Sequence, residues 1–63
     1  MKYTVRQARN LKGLTQLEMA KLMGISRDTY IKIESDPTRS TVAQASRISE
    51  ITGVPISELN FFL

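Results

Sequence analysis

Arg27, Asp28 and Lys32 are the side chains whose types and spacing suit them to site chemistry. On a helix, positions 28 and 32 stand one turn apart and 27 flanks them, so all three can share one face. Such a face carries a guanidinium, an ammonium and a carboxylate, groups that recognise by charge and hydrogen bonding. The ordinary alternative is a solvated helix face, the commonest fate of charges on a helix surface. The rest of the chain offers little for catalysis. Histidine and cysteine are both absent, which removes the commonest general base, the commonest metal ligand, thiolate clusters and disulfides. An enzyme is therefore not expected, nor a metal, cofactor or small-molecule ligand.

The positioning of these residues falls to the segment 14–34, LTQLEMAKLMGISRDTYIKIE. It reads as two short helices joined by a tight turn. Thr15 caps the first, and Glu18 three residues on completes a capping box. Gly24 forms the turn, and Ser26 caps the second helix. A helix held on such a turn can be presented to the DNA major groove. Ala20 suits a close crossing of the two helices, where a larger side chain would force them apart. Its plain alternative is that alanine is a good helix former.

The flanking elements follow from caps and stops. Thr4 with Gln7 opens a helix over VRQARNLK, and Gly13 ends it. The second helix runs from about Gln16 to Met23, and the third follows Ser26 and runs to about Ser35, where Asp36-Pro37 stops it. The sequence predicts a loop over 36–41, then a helix opened by the Thr41 and Gln44 capping box and closed by Gly53. Pro55 restarts the chain into a short last helix around 57–61. No segment alternates with period two, so no sheet is expected. The reading is an all-α, five-helix domain spanning 1–63, with its helix-turn-helix over about 15–35. Core candidates are Val5, Ala8, Leu14, Met19, Ala20, Met23, Ile25, Tyr30, Ile33, Val42, Ala45, Ile48, Ile51, Val54 and Leu59.

Sixty-three residues suffice for one small core, burying roughly 60% of the unfolded surface. Nine Lys/Arg against six Asp/Glu leave a net charge of +3, which favours a polyanionic partner without demanding one. No apolar run has the length of a membrane span and no signal-peptide core is visible, so a cytoplasmic protein without membrane association is expected.

The pattern G-L-T-Q-x-x-x-A-x-x-x-G-I-S-R-x-T-x-x-x-I-E at positions 13–34 resembles the helix-turn-helix domain of lambdoid phage repressors and Cro proteins. The resemblance extends over nearly the whole chain. It implies a repressor-like DNA-binding domain whose partner is a double-stranded DNA operator. Arg27, Asp28 and Lys32 match the positions from which the recognition helix reads base edges. Arg27 can be bidentate to guanine, Lys32 can reach guanine or a phosphate, and Asp28 can accept from a cytosine amine or orient Arg27. Gln16 matches a glutamine that contacts a backbone phosphate, at a helix end whose N–H groups favour an anion. Thr15 belongs to the same backbone-contacting set. Thr29 matches a phosphate- or thymine-methyl-contacting position, and Thr38, Arg39 and Ser40 match a segment that clamps the DNA backbone. Arg9 and Glu34 match a charge pair tying the first helix to the end of the recognition helix. Arg6, Lys12, Lys21 and Arg47 are read as surface charges.

Two residues depart from the family pattern. Tyr30 stands where a smaller aliphatic residue is usual, and its hydroxyl needs a partner or an exit to solvent. Ile31 stands where a polar residue is usual on the outer side. Leu11, Leu17 and Leu22 exceed what the core requires. A chain this short reads few base pairs, so a homodimer is expected at least on DNA. Phe61, Phe62 and Leu63 form an apolar end that either contributes to such a dimer or folds back on the domain's own core. The competing class is an antitoxin or a protein-interaction module on the same fold.

Overall fold

The computed structural model describes residues 2–61. Four α-helices make up most of it: α1 Val5–Lys12, α2 Gln16–Met23, α3 Arg27–Ser35 and α4 Val42–Thr52. Local signals start them. Thr4, Thr15 and Thr41 each accept from the backbone of the third helical residue, and Gln7, Glu18 and Gln44 each reach back to the capping residue. Each reciprocal pair satisfies two helix-end donors, and removing such a cap costs about 1 kcal/mol.

The turn between α2 and α3 depends on Gly24, whose φ of 71° lies in the left-handed region. Its N–H donates to the Lys21 carbonyl, and the Ile25 N–H reaches back to Ala20, both at 3.1 Å. The chain is thereby redirected within two residues into Ser26, which caps α3 by accepting from the Thr29 N–H. α2 packs on α3, while α4 packs across both α1 and α2. Val5, Ala8, Met19, Ala20, Tyr30, Ile33, Ile48, Val54 and Leu59 form the core. Leu14, Met23, Ile25 and Ile51 are half-buried against it, joined by Tyr3 and Phe61. Ala20 is buried in this core, where a larger side chain would have to displace its neighbours.

The structure corrects the five-helix expectation. The segment expected as a last helix over 57–61 forms one 3₁₀ turn, Ile56–Glu58. The 36–41 segment, expected as plain loop, holds another at Pro37–Arg39, with proline at its first position. No strand occurs among the described residues, but Tyr3 and Leu59 make an isolated parallel bridge. The Tyr3 N–H donates to the Glu58 carbonyl at 2.7 Å and the Asn60 N–H to the Tyr3 carbonyl at 2.8 Å.

Val42 is not a core residue. It is 84% exposed, whereas Ile48 is fully buried, and Ala45 and Ile51 are half-buried. A spacing of three falls about 60° short of a full turn at each step, so a stripe written that way leaves the core within two steps. Ile48 marks its centre and Val42 its solvent end. Pro37 and Thr52, absent from the expected core, are buried. The Thr52 hydroxyl is accommodated by donating to the Ile48 carbonyl at 2.7 Å and accepting from the Val54 N–H at 3.3 Å.

Candidate nucleic-acid interface

Arg27, Asp28, Thr29 and Lys32 are all exposed on α3. Among the described residues no ion pair engages Arg27, Asp28 or Lys32. Their charges therefore remain available to an outside partner. Thr29 is partly committed, because its hydroxyl oxygen accepts from Ser26 Oγ at 2.8 Å and its N–H donates to the same oxygen at 3.2 Å. Its own hydroxyl proton stays free to donate.

Beside α3 stands the amino end of α2. The capping box uses the Thr15 side chain for the Glu18 N–H, leaving the backbone N–H groups of Gln16 and Leu17 without partners in the helix. The Glu18 carboxyl is held below the usual carboxylate range, first by the Thr15 backbone N–H, then by the Thr15 side chain, with a smaller contribution from Lys21 and against a slight opposing effect of burial. Thr15, Gln16, Leu17 and Arg27 line a shallow open cavity of about 370 Å³. The first residue of α3 is thereby brought beside the first turn of α2.

A buried polar cluster fixes these elements to one another. Arg9 Nε donates to Glu34 Oε2 at 2.6 Å, and Nη2 lies 3.5 Å from Oε1. Arg9 Nη1 donates to the Leu14 carbonyl at 2.7 Å, so one guanidinium ties α1 to the start of α2 and the end of α3. The two side chains are only 10% and 6% exposed. Burial opposes ionisation of Glu34, but the Arg9, Tyr30 and Gln16 groups gathered around it outweigh that and hold its carboxyl below the usual range. The Glu34 hydrogen bond raises the Arg9 pKa against the opposing effect of burial. The expected pairing of Arg9 and Glu34 is thus present and buried.

The cluster also holds Gln16, whose Nε2 donates to Glu34 Oε1 at 3.2 Å. One amide N–H is spent on the carboxylate and one remains. Tyr30 completes the group. Its ring is fully buried, filling the space a smaller aliphatic residue would leave. Burial pushes its hydroxyl well above the ordinary tyrosine range, reinforced by Glu34 and opposed by Arg9. The phenol feels both charges, yet no neighbour meets it at hydrogen-bonding geometry.

Directly after α3, the 36–40 segment is knitted together internally. The Thr38 hydroxyl donates to Asp36 Oδ1 and the Ser40 hydroxyl to the Pro37 carbonyl. Arg39 Nε lies 3.4 Å from Asp36 Oδ2. Of the three residues singled out here from the sequence, Arg39 keeps the most donors, being 73% exposed with only one nitrogen engaged.

Phe61 folds against the domain's own core. It shares a shallow groove with Pro37, Val42, Ala45 and Ile56. Phe62 and Leu63, read with it as an apolar end, lie outside the described residues. Ile31 is half-buried rather than outward-facing. It lines a cavity with Arg6, Gln16, Glu34 and Ser35. Sequence reasoning missed the Gln16–Glu34 bond and the place of Arg6, although Arg6 stands three residues before Arg9 on α1. Arg47, read as a surface charge, is exposed, and it also bonds the Leu22 carbonyl at 3.3 Å and lies 3.6 Å from Glu50.

A capped helix, a left-handed glycine turn and a second capped helix with an unpaired polar face define a helix-turn-helix unit. The sequence pattern of the helix-turn-helix family matches residues 5–59. The chain belongs to the Cro-like helix-turn-helix family, a membership that points to a non-enzymatic protein. It is 36% identical over 59 residues to an uncharacterized HTH-type transcriptional regulator of Methanocaldococcus jannaschii, covering 94% of this chain and 89% of that protein. It is 41% identical over 61 residues to a provisionally named HTH-type transcriptional regulatory protein of Archaeoglobus fulgidus. That match takes in 90% of this chain but 19% of the longer archaeal protein. No solved structure matches. Among the described residues, no helix is long and apolar enough to cross a membrane, and no group of acidic side chains is placed to hold a metal ion.

Proposed function

We propose that the protein is a sequence-specific double-stranded DNA-binding transcriptional regulator that acts in the cytoplasm by occupying an operator, in the manner of phage repressors and Cro proteins. One observation carries the reading: α3 is seated by a buried ion pair and a glycine turn while Arg27, Asp28 and Lys32 stand exposed and unpaired on it. Bound in the major groove, that face reads base edges through Arg27, Asp28 and Lys32. Thr15, Gln16 and Thr29 contact the backbone on one side, and Thr38, Arg39 and Ser40 on the other. Two copies on a two-fold operator supply the length of sequence that one copy cannot read.

Selection from a random DNA pool, followed by titration of the selected duplex, tests the proposal. Binding should weaken steeply with salt. Lys32→Ala should relax base preference at one position of each half-site, while Gln16→Ala should weaken all sequences alike. Absence of salt-sensitive binding would refute it. A second reading, an antitoxin or protein-interaction module on the same fold, is favoured by the exposed apolar side chains Val42 and Ile56 beside Phe61. It predicts a stoichiometric protein partner in place of DNA.

A further inference from the structure

Gln16 is the shared wall of two neighbouring shallow cavities. One also carries Arg27, with Thr15 and Leu17. The other, of about 270 Å³, carries Arg6, with Ile31, Glu34 and Ser35. Arg6 therefore lies on the same side of the molecule as the amino end of α2, although it belongs to α1. It is exposed, and no ion pair engages it among the described residues.

The electrostatics of the second cavity come down to this arginine. Glu34 contributes a carboxylate, but one already saturated by Arg9 and by the Gln16 amide. Arg9 and Glu34 cancel, and Arg6 supplies the uncompensated charge. Ser35 adds no donor, because its hydroxyl already donates to the Ile31 carbonyl at 2.7 Å. The groups left to meet a ligand are the Arg6 fork, with five N–H donors, and the remaining N–H of Gln16. Two convergent donors, one of them cationic, suit a singly charged phosphodiester oxygen pair.

We propose that Arg6 is a DNA-backbone contact on α1, holding a phosphate jointly with Gln16 at the cavity they share. The assignment rests on the DNA-binding reading above and extends its footprint onto a helix outside the helix-turn-helix. In this role Arg6 anchors the protein without reading sequence.

The test is a fluorescence-anisotropy titration of a labelled mixed-sequence duplex and of a selected duplex over a series of salt concentrations. The proteins compared are the wild type, Arg6→Gln, Arg6→Lys and Arg47→Gln, the last removing the same charge from α4. Circular dichroism confirms that each is folded. Arg6→Gln should weaken both duplexes by a similar factor of about three to ten at moderate salt and reduce the log–log salt slope by about one. Arg6→Lys should retain most of the slope, and Arg47→Gln should leave it unchanged. Wild-type salt-sensitive binding with no change in Arg6→Gln, or an equal loss in Arg47→Gln, would overturn the Arg6 assignment alone. No salt-sensitive binding by the wild type would overturn the DNA-binding reading and the assignment with it.

Discussion

Replacing Arg9 with methionine keeps most of the side chain's length and apolar stem while removing the charge opposite Glu34. Glu34 is only 6% exposed, so the substitution leaves a nearly buried carboxylate without its cation. Breaking a buried pair in this way costs about 3–5 kcal/mol. The Leu14 carbonyl loses its guanidinium donor as well, adding about 1 kcal/mol. A domain of 63 residues has a total stability of only roughly 3–9 kcal/mol. Arg9→Met should therefore be largely unfolded or close to it at room temperature. The double variant Arg9→Met/Glu34→Met should recover most of the loss, since the charge and its partner leave together. Urea titrations followed by circular dichroism measure both. The acid side gives an independent check. Glu34 ionises more readily when folded than when unfolded, so its contribution is full above the ordinary carboxylate value of 4.5 and is lost as pH falls through the folded value. In Arg9→Met the sign should reverse, because protonation then relieves an unpaired buried charge. A single variant within about 0.5 kcal/mol of wild type, or a double variant no more stable than the single, would refute the role given to the pair.

Gly24→Ala should lose about 1 kcal/mol in a thermal melt from backbone strain at φ 71°, even though its added methyl meets nothing within 4 Å. A neutral result would mean that the turn relaxes freely. Tyr30→Phe removes a buried hydroxyl that no neighbour meets at hydrogen-bonding geometry but that helps hold the Glu34 carboxyl down, so the two effects should nearly cancel and stability should change by less than about 1 kcal/mol. A clear loss of stability in urea would show that the phenol is in fact bonded. Val42→Thr should change stability by less than about 0.5 kcal/mol, because the side chain is 84% exposed. A larger cost in the same titration would place Val42 in a packed contact.

The elements that could be read from sequence are those whose signal is local. Thr4 with Gln7, Thr15 with Glu18 and Thr41 with Gln44 lie three residues apart, and each forms the box its spacing announced. Gly13, Gly24 and Gly53 end helices for the same reason, needing only their own backbone freedom. The Arg9–Glu34 pair spans most of the helix-turn-helix, and the family resemblance, not periodicity, brought it into view. Where neither local pattern nor resemblance reached, the reading failed. Val42 shows how a stripe of period three overstates a buried face. Pro55 marks a restart but says nothing of its length, and only one turn follows. The bond from Gln16 to Glu34 and the half-buried place of Ile31 depend on how three helices meet. That Arg27, Asp28 and Lys32 can share one face was legible from helical phase, and the resemblance singled them out, whereas the engagement of Thr38 and Ser40 within their own segment was not legible.

The bridge between Tyr3 and Leu59 fastens the two flanks of the helical core to each other. It joins segments from opposite ends of the described chain, a long closure whose entropy is offset by the core contacts of Leu59 and Tyr3 as well as by its two hydrogen bonds. The α2–α3 hairpin faces no such demand, since its capping and turn contacts lie within a few residues of one another. The bridge thus depends on long-range closure in a way that the hairpin does not. None of the hairpin's own capping and turn contacts runs through Tyr3 or Leu59, so the two depend on different parts of the chain.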